Sequence, residues 1–159
     1  MKTSDINHIL RQNLYTRKYY KGTFAANKCP KKVVPNTCFV SNTDPHTLPG
    51  QHWIAIYVKR DGNLYYFDPY GIPPLSIYHR ALMKKSSDGH GTYNRKQVQT
   101  LYSSTCGAHC INFLISACRN QDPKYTMMRL MSLPVNFLDR LTSQGVTYQN
   151  TLRRTGVKL

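Results

Sequence analysis

The chain has 159 residues, which is long enough for one domain with its own hydrophobic core and too short for two ordinary domains. Its 22 Lys and Arg residues outnumber its 7 Asp and Glu residues, and the formal net charge is +15. A balance so far from neutral excludes a surface indifferent to polyanions and predicts attraction to nucleic acid. We therefore expect a single domain over residues 1–159, with a tail from about residue 151 that is mobile or faces nucleic acid.

Cysteine usage indicates a reducing intracellular compartment. The cysteines are odd in number and form no even framework of the kind found in secreted domains; they are Cys29, Cys38, Cys106, Cys110 and Cys118. The first residues lack the pattern of a secretory signal, and no long apolar run predicts a membrane span. We expect no membrane association.

The first predicted element is a helix that opens at residues 4–7. Its apolar side chains recur at helical spacing on one face; they are Ile6, Ile9, Leu10 and Leu14. Basic and aromatic residues are mixed around its end: Arg11, Tyr15, Arg17, Lys18, Tyr19, Tyr20 and Lys21. That mixture is typical of nucleic-acid contact. An equally weighted interpretation places the tyrosines on the core and leaves the cations in water.

Two loops and a strand follow. Residues 22–32 predict a loop, in which Lys31 and Lys32 add positive charge. Residues 37–40 are apolar enough for a buried strand. Residues 43–51, with two prolines and a glycine, predict a second loop.

A hairpin is predicted next. Residues 53–58 and 64–68 are rich in β-branched and aromatic side chains, and an Asp-Gly pair lies between them. This composition is typical of two antiparallel strands joined by a tight turn.

The register of this hairpin decides whether His52 and Asp68 can meet. A two-residue turn would place Asp68 on the opposite face of the sheet from His52. A three-residue turn over residues 60–62, with Gly62 in the left-handed conformation, places Asp68 opposite Ile54. Asp68 is then diagonal to His52 on one face, roughly 7–8 Å away between backbones, which the two side chains can span. A functional pairing of His52 with Asp68 therefore predicts the three-residue turn or an equivalent bulge.

The next segments are predicted as a helix, a loop and a strand. Residues 75–85 favour a helix with Leu75, Tyr78 and Leu82 on one side, residues 86–96 an exposed loop, and residues 97–102 a strand. Beyond residue 122, apolar spacing predicts one or two short helices interrupted at Pro134. Four histidines have no partner pattern and are expected at the surface: His8, His46, His79 and His90.

Cys106 stands where a central helix is predicted to begin. The preceding Ser103, Ser104 and Thr105 are good N-cap residues, and the following residues are apolar on nearly every side, as in a buried helix. A thiol in the first turn faces unpaired N–H groups and the positive end of the helix dipole, which favours the thiolate. Gly107 leaves room for a substrate backbone beside the sulfur.

His52, Asp68 and Cys106 form a complete set for acyl transfer by a thiol. The imidazole takes the thiol proton and later protonates the leaving amine, and the carboxylate orients the imidazole. The N–H of Cys106 and the side-chain amide of Gln99 are candidate donors to the oxyanion. A zinc site at Cys106, His109 and Cys110 lacks the two well-spaced pairs that such sites use, so we predict no metal.

Several motifs of the chain resemble those of the adenovirus-type cysteine protease (adenain) family. They are His52-Trp53 opening a strand, Tyr-Phe-Asp-Pro-Tyr-Gly at 66–71, Val98-Gln99 followed by Cys106-Gly107, Asn36-Thr37-Cys38, and the loop 41–51. The likeness runs from about residue 4 to residue 120. It implies His52 as base, Asp68 as orienting acid in place of the family's Glu, Cys106 as nucleophile and Gln99 as oxyanion donor.

The resemblance also implies a fold and a function. The fold is α+β and resembles a permuted papain, with a small mixed or antiparallel sheet packed on a central helix that begins at the nucleophile. The activity is cleavage of viral precursor proteins of the capsid or core at small-residue sites containing Gly. In adenoviruses the enzyme is also stimulated by DNA and by a short viral peptide, and the cysteine that links this peptide lies between the acid and the nucleophile. No Cys lies between Asp68 and Cys106, so a peptide activator linked in that manner is not expected.

Two other functions are compatible with the same sequence features. A protease for ubiquitin-like modifiers would employ the same residues, and a basic DNA-binding or virion protein without catalysis would use the charge alone. We expect a monomeric viral cysteine endopeptidase in the host nucleus and the virion, without a small-molecule cofactor and with DNA as a stimulating polyanion. The candidate DNA contacts are Arg11, Arg17, Lys18, Lys21, Lys31, Lys32, Lys84, Lys85, Arg153 and Arg154.

Overall fold

The computed structural model describes residues 1–144. Helices and strands follow one another along the chain as α1 (Thr3–Gln12), β1 (Tyr20–Phe24), β2 (Thr37–Asn42), β3 (Trp53–Val58), β4 (Leu64–Phe67), α2 (Ile77–Lys84), β5 (Thr92–Tyr93), α3 (Cys106–Asn120), α4 (Pro123–Ser132) and α5 (Val135–Ser143). The predicted tail from residue 151, with Arg153 and Arg154, lies outside the described residues.

The strands form one mixed sheet in the order β1-β2-β3-β4-β5. The β2–β3 and β3–β4 pairs are antiparallel, whereas β1 lies parallel to β2 and β5 lies parallel to β4. Helix α3 packs against the central strand β3. The predicted α+β class, with a mixed sheet on a central helix, is confirmed, and the permuted papain-like arrangement stays a prediction.

The sheet buries both of its faces because successive side chains on a strand point to opposite sides. On one face, the rings of Phe67 and Phe113 stack with their centroids 4.4 Å apart and join the strands to α3. On the other face, Ile54 and Ile56 pack with Leu82 of α2. Of the 15 residues of α3, 12 are buried, which confirms the predicted central helix.

The hairpin between β3 and β4 has the predicted three-residue turn. The N–H of Lys59 donates to the carbonyl of Asn63 at 3.0 Å, and Gly62 has a φ of +84°. The ladder pairs Ala55 with Phe67 and Val58 with Leu64. This register carries Asp68 to the position opposite residue 54, on the same face as His52.

Two predicted loops contain strands. β1 begins before residue 22 and continues into the predicted loop 22–32, and β5 lies within the predicted loop 86–96. Both strands are short, and each pairs in parallel with a strand distant in sequence, such as Tyr20 with Cys38. Local composition cannot reveal them because the stabilising partner is not a neighbour in the chain.

The segment 97–102 was predicted as a strand, which is wrong. It is irregular, and the N–H groups of Val98 and Gln99 both donate to the carbonyl of Pro69, at 2.8 and 3.1 Å. This forked contact fastens the segment beside the end of β4. Residues 97–102 therefore lie beside the end of β4 without joining the sheet.

Some predicted apolar faces and one surface histidine are also corrected. α1 ends at Gln12, and Leu14 beyond it is 71% exposed; Leu75 precedes α2 and is 72% exposed. His79 is fully buried on α2, where its Nε2 lies 2.8 Å from the hydroxyl of Ser41, and burial lowers its pKa to about 4. His79 thus joins α2 to the sheet as a neutral residue.

The turn after β4 depends on Gly71. Its φ is +68°, and a Cβ there would lie 2.6 Å from the carbonyl carbon of Lys96 and 2.7 Å from the nitrogen of Gln97. Its N–H donates to the carbonyl of Asp68 at 2.8 Å. The turn that follows Asp68 is therefore pressed against the backbone of residues 96–97, and only Gly fits.

Substituting Gly71→Ala should lower the free energy of unfolding by about 2–4 kcal/mol. The left-handed conformation costs a side-chain residue about 1 kcal/mol, and forcing the backbone of residues 96–97 away adds about 1–3 kcal/mol. Urea unfolding followed by circular dichroism measures the change. The matched control is Gly89→Ala, because Gly89 has a φ of +84° with nothing within 4 Å of its Cβ position. Equal losses in the two variants would contradict the proposed contact.

Candidate active site

Cys106 is the first residue of α3, and its side chain is largely buried. Thr105 occupies the N-cap position as predicted, but its hydroxyl does not cap the helix. It donates instead to the carboxylate of Asp139 at 2.6 Å. The first N–H groups of α3 therefore have no side-chain cap and remain near the sulfur, where N–H groups of a first turn have no intrahelical acceptor.

His52 and Asp68 meet across the hairpin. The Nε2 atom of His52 lies 2.7 Å from Oδ1 of Asp68, and both side chains are mostly buried. The same carboxylate oxygen accepts the N–H of Tyr70 at 2.7 Å. Because Nε2 faces the carboxylate, Nδ1 is the ring nitrogen left to face the thiol.

Asn94 holds the backbone of Asp68 in place. Its Oδ1 accepts the N–H of Asp68 at 2.8 Å, and its Nδ2 donates to the carbonyl of Asp68 at 2.6 Å. The side chain is fully buried although it lies in a segment predicted as an exposed loop. An isolated Asn in a polar stretch offers no signal of this role, which depends on its placement beside the end of β4.

His52 and Cys106 form a hydrogen-bonded pair whose pKa values move in opposite directions. Burial lowers the pKa of His52, but the hydrogen bonds and charges of Asp68 and Cys106 outweigh it together and raise that pKa to about 9. Burial raises the pKa of the Cys106 thiol, whereas the hydrogen bond from His52 and the N–H groups of Trp53 and Gly107 bring it below its ordinary value. Both shifts favour a thiolate beside an imidazolium, which is the reactive form of such a pair.

Aromatic rings enclose the pair from two sides. Tyr70 stacks on His52, with ring centroids 4.7 Å apart and 21° between the planes. Trp53 packs on the core and lies beside Gly107, where a Cβ would be 3.2 Å from the Trp53 ring and 3.3 Å from the sulfur of Met1. The space that Gly107 leaves is therefore bordered by Trp53 and Met1.

Gln99 is fully buried near the loop that leads to Cys106. Its Nε2 donates to the carbonyl of Ser103 at 2.7 Å, while its Oε1 has no hydrogen-bond partner among the described residues. The bond to Ser103 occupies one of the two amide hydrogens, and the second is available to another acceptor. Its role as an oxyanion donor stays a prediction.

Two cavities border the site. One, of about 360 Å³, is lined by His52, Asp68 and Tyr70 together with the apolar side chains of Ile72, Pro73 and Leu75. The other, of about 410 Å³, includes Met1, Leu48, Pro49 and Trp53 in its walls. A cleft with apolar walls and a few convergent polar groups is typical of a substrate site.

Cys106, His109 and Cys110, the three residues considered as zinc ligands, each contact a different partner. The thiol of Cys106 bonds to His52, the thiol of Cys110 donates to the carbonyl of Trp53 at 3.3 Å, and His109 lies 3.2 Å from Asp139. Within residues 1–144, no group of three or more His, Cys, Asp or Glu side chains is placed to hold a metal ion. His109 and Cys110 are both fully buried, as expected of residues packed inside the helix.

The predicted DNA contacts that fall within residues 1–144 are all exposed, and they separate into two groups. The α1 group, at and after the end of α1, consists of Arg11, Arg17, Lys18 and Lys21. The α2 group consists of Lys31, Lys32, Lys84 and Lys85. In it, the ammonium of Lys85 donates to the carbonyl of Lys31 at 2.8 Å, and the ammonium of Lys31 lies 5.1 Å from the Tyr78 ring. The tertiary structure therefore joins two basic segments that are distant in sequence.

Across the part of the chain that the structure describes, no helix is both long and apolar enough to span a membrane.

Comparison with known proteins finds two viral relatives. The protease of bovine adenovirus C serotype 10 is 30% identical over 131 residues, which cover 72% of this chain and 67% of the adenovirus protein. A protein of Acanthamoeba polyphaga mimivirus named "Putative thiol protease R355" is 27% identical over 141 residues. That match covers 72% of this chain and 46% of the mimivirus protein, so the chain spans less than half of it.

Two further comparisons support no assignment of fold or function. No family model matches the chain. Among solved structures, the central domain of the uncharacterized Lpg1148 protein from Legionella pneumophila aligns over 98% of this chain and 92% of that chain, with a TM-score of 0.40 and 13% identity. So low a score supports no conclusion about fold or function.

Alkylation by iodoacetamide should label Cys106 first at neutral pH. Its thiol has a lowered pKa, whereas burial raises the pKa of the thiols of Cys29 and Cys110. The pair should stay charged up to about pH 9, where His52 loses its proton. Peptide mass analysis after short exposures at pH 6 to 10 measures each rate.

The variant His52→Ala should slow the alkylation of Cys106 at pH 7 severalfold, because loss of the hydrogen bond and charge of the imidazolium raises the pKa of the thiol and leaves less thiolate. His90→Ala is the matched control, since His90 also lies near a carboxylate, 3.9 Å from Asp88, in a different part of the fold. An unchanged rate in His52→Ala would contradict the ion pair.

Proposed function

The chain belongs to the adenovirus protease family, and on that basis we propose that it is a cysteine endopeptidase with Cys106 as nucleophile, His52 as base and acid, and Asp68 as the orienting carboxylate. The relatives are named as a protease and a thiol protease, which supports peptide-bond hydrolysis by a cysteine. One structural observation carries the proposal. The thiol at the first turn of a buried helix is hydrogen-bonded to an imidazole whose Nε2 lies 2.7 Å from a buried carboxylate.

The reaction follows from this arrangement in two halves. The thiolate of Cys106 attacks the peptide carbonyl carbon, and the carbonyl electrons move to its oxygen. As the oxyanion collapses, the C–N bond breaks and the imidazolium of His52 gives its proton to the leaving nitrogen. Neutral His52 then takes a proton from water, whose oxygen attacks the thioester carbon. The C–S bond breaks, the acid product leaves, and the thiolate–imidazolium pair is restored.

The oxyanion requires hydrogen-bond donors close to the sulfur. The backbone N–H of Cys106 lies in the uncapped first turn of α3. The free amide hydrogen of Gln99 is the second donor that we propose. Removing one such donor usually lowers kcat by about 10²–10³-fold.

The substrates that we propose are viral precursor proteins of the capsid or core, cleaved at small-residue sites containing Gly. Trp53 and Met1 lie beside Gly107, where a Cβ would be 3.2 Å from the Trp53 ring and 3.3 Å from the Met1 sulfur. We propose that these two side chains form a wall that favours Gly or Ala over a bulky side chain next to the scissile bond. The apolar cavity at Ile72, Pro73 and Leu75 leaves room for a larger side chain farther along the substrate.

Two alternatives remain distinct from this proposal. A protease for ubiquitin-like modifiers would share the chemistry and differ in substrate, so it is separated by assaying both substrate classes. A basic DNA-binding or virion protein without catalysis has no need of the Cys106–His52–Asp68 arrangement. We place the enzyme in the host nucleus and the virion as a monomer, stimulated by DNA, and any activating peptide would bind without a disulfide in the adenovirus manner.

Replacing Cys106 by Ala should abolish cleavage of quenched-fluorescence peptides that contain small residues and Gly, because the thiolate that attacks the peptide carbonyl is removed. DNA affinity, measured by fluorescence anisotropy, should stay unchanged. Asp68→Asn should lower kcat by at least about tenfold, because it disturbs the orientation and charge of His52. Cleavage that persists in Cys106→Ala would rule out the assignment, and the absence of cleavage in the unaltered protein with DNA present would favour the binding protein.

DNA binding is proposed from the distribution of charge. The α1 group and the α2 group are exposed cations on separate elements, and the α2 group is brought together by contacts between the loop before β2 and helix α2. Electrostatic attraction of this kind is independent of base sequence and weakens with salt because counterions are released.

The double variant Lys32→Gln/Lys84→Gln should weaken DNA binding and reduce the slope of log K against log salt by about 2, since each lost phosphate contact removes about 0.9. Anisotropy titrations of a fluorescent duplex between 50 and 200 mM NaCl, roughly the range in which such slopes are measured, give the slope. Lys124→Gln, which removes an exposed cation from α4, is the control and should leave it nearly unchanged. The corresponding Arg17→Gln/Lys18→Gln variant tests the α1 group, and equal slopes throughout would contradict both groups.

A further inference from the structure

Asp139 of α5 is a buried carboxylate at the base of the loop that leads to the nucleophile. Its side chain accepts the hydroxyl of Thr100 at 2.6 Å, that of Ser103 at 2.9 Å and that of Thr105 at 2.6 Å. Nε2 of His109, inside α3, lies 3.2 Å from the same group. One carboxylate thus joins α5 to three side chains of loop 100–105 and to the nucleophile helix.

Loop 100–105 has few buried apolar contacts that could fix its conformation. Leu101 and Tyr102 at its tip are 68% and 100% exposed, so they contribute little apolar burial. Within the loop, the N–H of Ser103 donates to the carbonyl of Thr100 at a long 3.3 Å. Segments with few buried apolar contacts open readily unless polar contacts fix them. The three hydroxyl contacts to Asp139 therefore contribute much of the polar bonding that fixes the loop, together with the bonds to the Ser103 carbonyl.

The carbonyl of Ser103 connects the loop to the chemistry. It accepts Nε2 of Gln99 at 2.7 Å and the phenol of Tyr70 at 3.4 Å. Gln99 is the proposed oxyanion donor, and Tyr70 stacks on His52. A shift of the Ser103 carbonyl would turn the amide of Gln99 and release one contact of Tyr70. The position of that carbonyl is in turn set by the hydroxyl contacts on either side of it.

The charge on Asp139 strengthens these contacts. Burial raises the pKa of the carboxyl group, but the donors Thr100, Thr105, His109 and Ser103 bring it down to about 2. The group is therefore ionised at every pH at which the enzyme would work, and hydrogen bonds to an ionised acceptor are about twice as strong as neutral ones.

We infer that Asp139 is a positioning residue that holds loop 100–105, and through the Ser103 carbonyl the amide of Gln99, in the geometry that stabilises the oxyanion. The inference rests on the proposed function, and it assigns a role in the reaction to a helix beyond residue 120, where the motifs of the site end. Asp139 touches neither the thiol pair nor the substrate. Asp139 fixes the position of the oxyanion donor Gln99, whereas the β3–β4 hairpin fixes the relative positions of His52 and Asp68.

The test compares Asp139→Asn with the unaltered protein in three measurements. Peptide cleavage should show kcat reduced by at least about tenfold with KM nearly unchanged, because transition-state stabilisation is lost and binding is kept. Alkylation of Cys106 by iodoacetamide should keep its pH profile, since that reaction needs no oxyanion donor. Hydrogen exchange should accelerate in residues 100–105 and stay slow in β3 and β4.

Two further variants separate positioning from general stability. Asp122→Asn removes another carboxylate that bonds one backbone N–H at the start of α4, and it should leave kcat and the loop's exchange unchanged. Ser103→Ala/Thr105→Ala removes two of the donors from the other side. Combined with Asp139→Asn, it should lower kcat little further, because both changes release the same loop.

The outcomes distinguish a failure of the Asp139 role from a failure of the proposed function. If the unaltered protein cleaves peptides through Cys106 and Asp139→Asn has the same kcat, the inference is wrong while the proposed function stands. A shifted alkylation profile or faster exchange throughout the sheet would also overturn it, since Asp139 would then act on the whole fold. If no cleavage depends on Cys106, the proposed function fails, and exchange in loop 100–105 alone decides whether Asp139 fixes the loop; unchanged exchange there overturns the inference.

Discussion

The hydrogen bond between His52 and Asp68 is the contact on which the rest of the site depends. It joins residues 16 positions apart at 2.7 Å, and it exists because a three-residue turn sets the register of β3 and β4. A shift of one residue would send Asp68 to the other face of the sheet. The contact then holds the imidazole so that its second nitrogen meets the thiol, and it favours the charge that the thiolate requires.

The nucleophile reaches this hairpin from a different part of the fold. Cys106 begins a helix that is buried on nearly every side and packed on β3, so its first turn cannot move independently of the sheet. Burial alone would keep both partners neutral, since it opposes charge on a thiol and on an imidazole. The Asp68 carboxylate and the nearby N–H groups offset that cost, and the charged pair becomes favourable inside a largely apolar cavity.

Polar contacts between distant segments complete the site on both sides. Asn94 clamps the backbone of Asp68, and Asp139 gathers the loop before Cys106. Asn94 and Asp139 lie outside the family motifs. They nevertheless contact the segments that carry the motif residues Asp68 and Cys106. The positive charge, in contrast, is spread over exposed residues of α1, α2 and neighbouring loops, whereas the thiol pair is largely buried. In the proposed function, catalysis and attraction to a polyanion therefore use different residues of the molecule.

The sequence by itself determined the strands β2 to β4 and the start of α3 at Cys106, because these follow from local composition. It allowed both a two-residue and a three-residue turn between β3 and β4, and only the assumed pairing of His52 with Asp68 selected the second. It did not reveal β1 or β5, it predicted a strand over residues 97–102, and it placed His79 on the surface. Tertiary structure decided these features, since parallel pairing, the forked contact at Pro69 and the burial of His79 all involve partners distant in the chain. The roles of Asn94 and Asp139 could not be predicted from the sequence, because their side chains bond to residues that are 26 and 34 to 39 positions away. A single polar residue carries no periodic signal, and only the packing of remote segments around it shows what it holds.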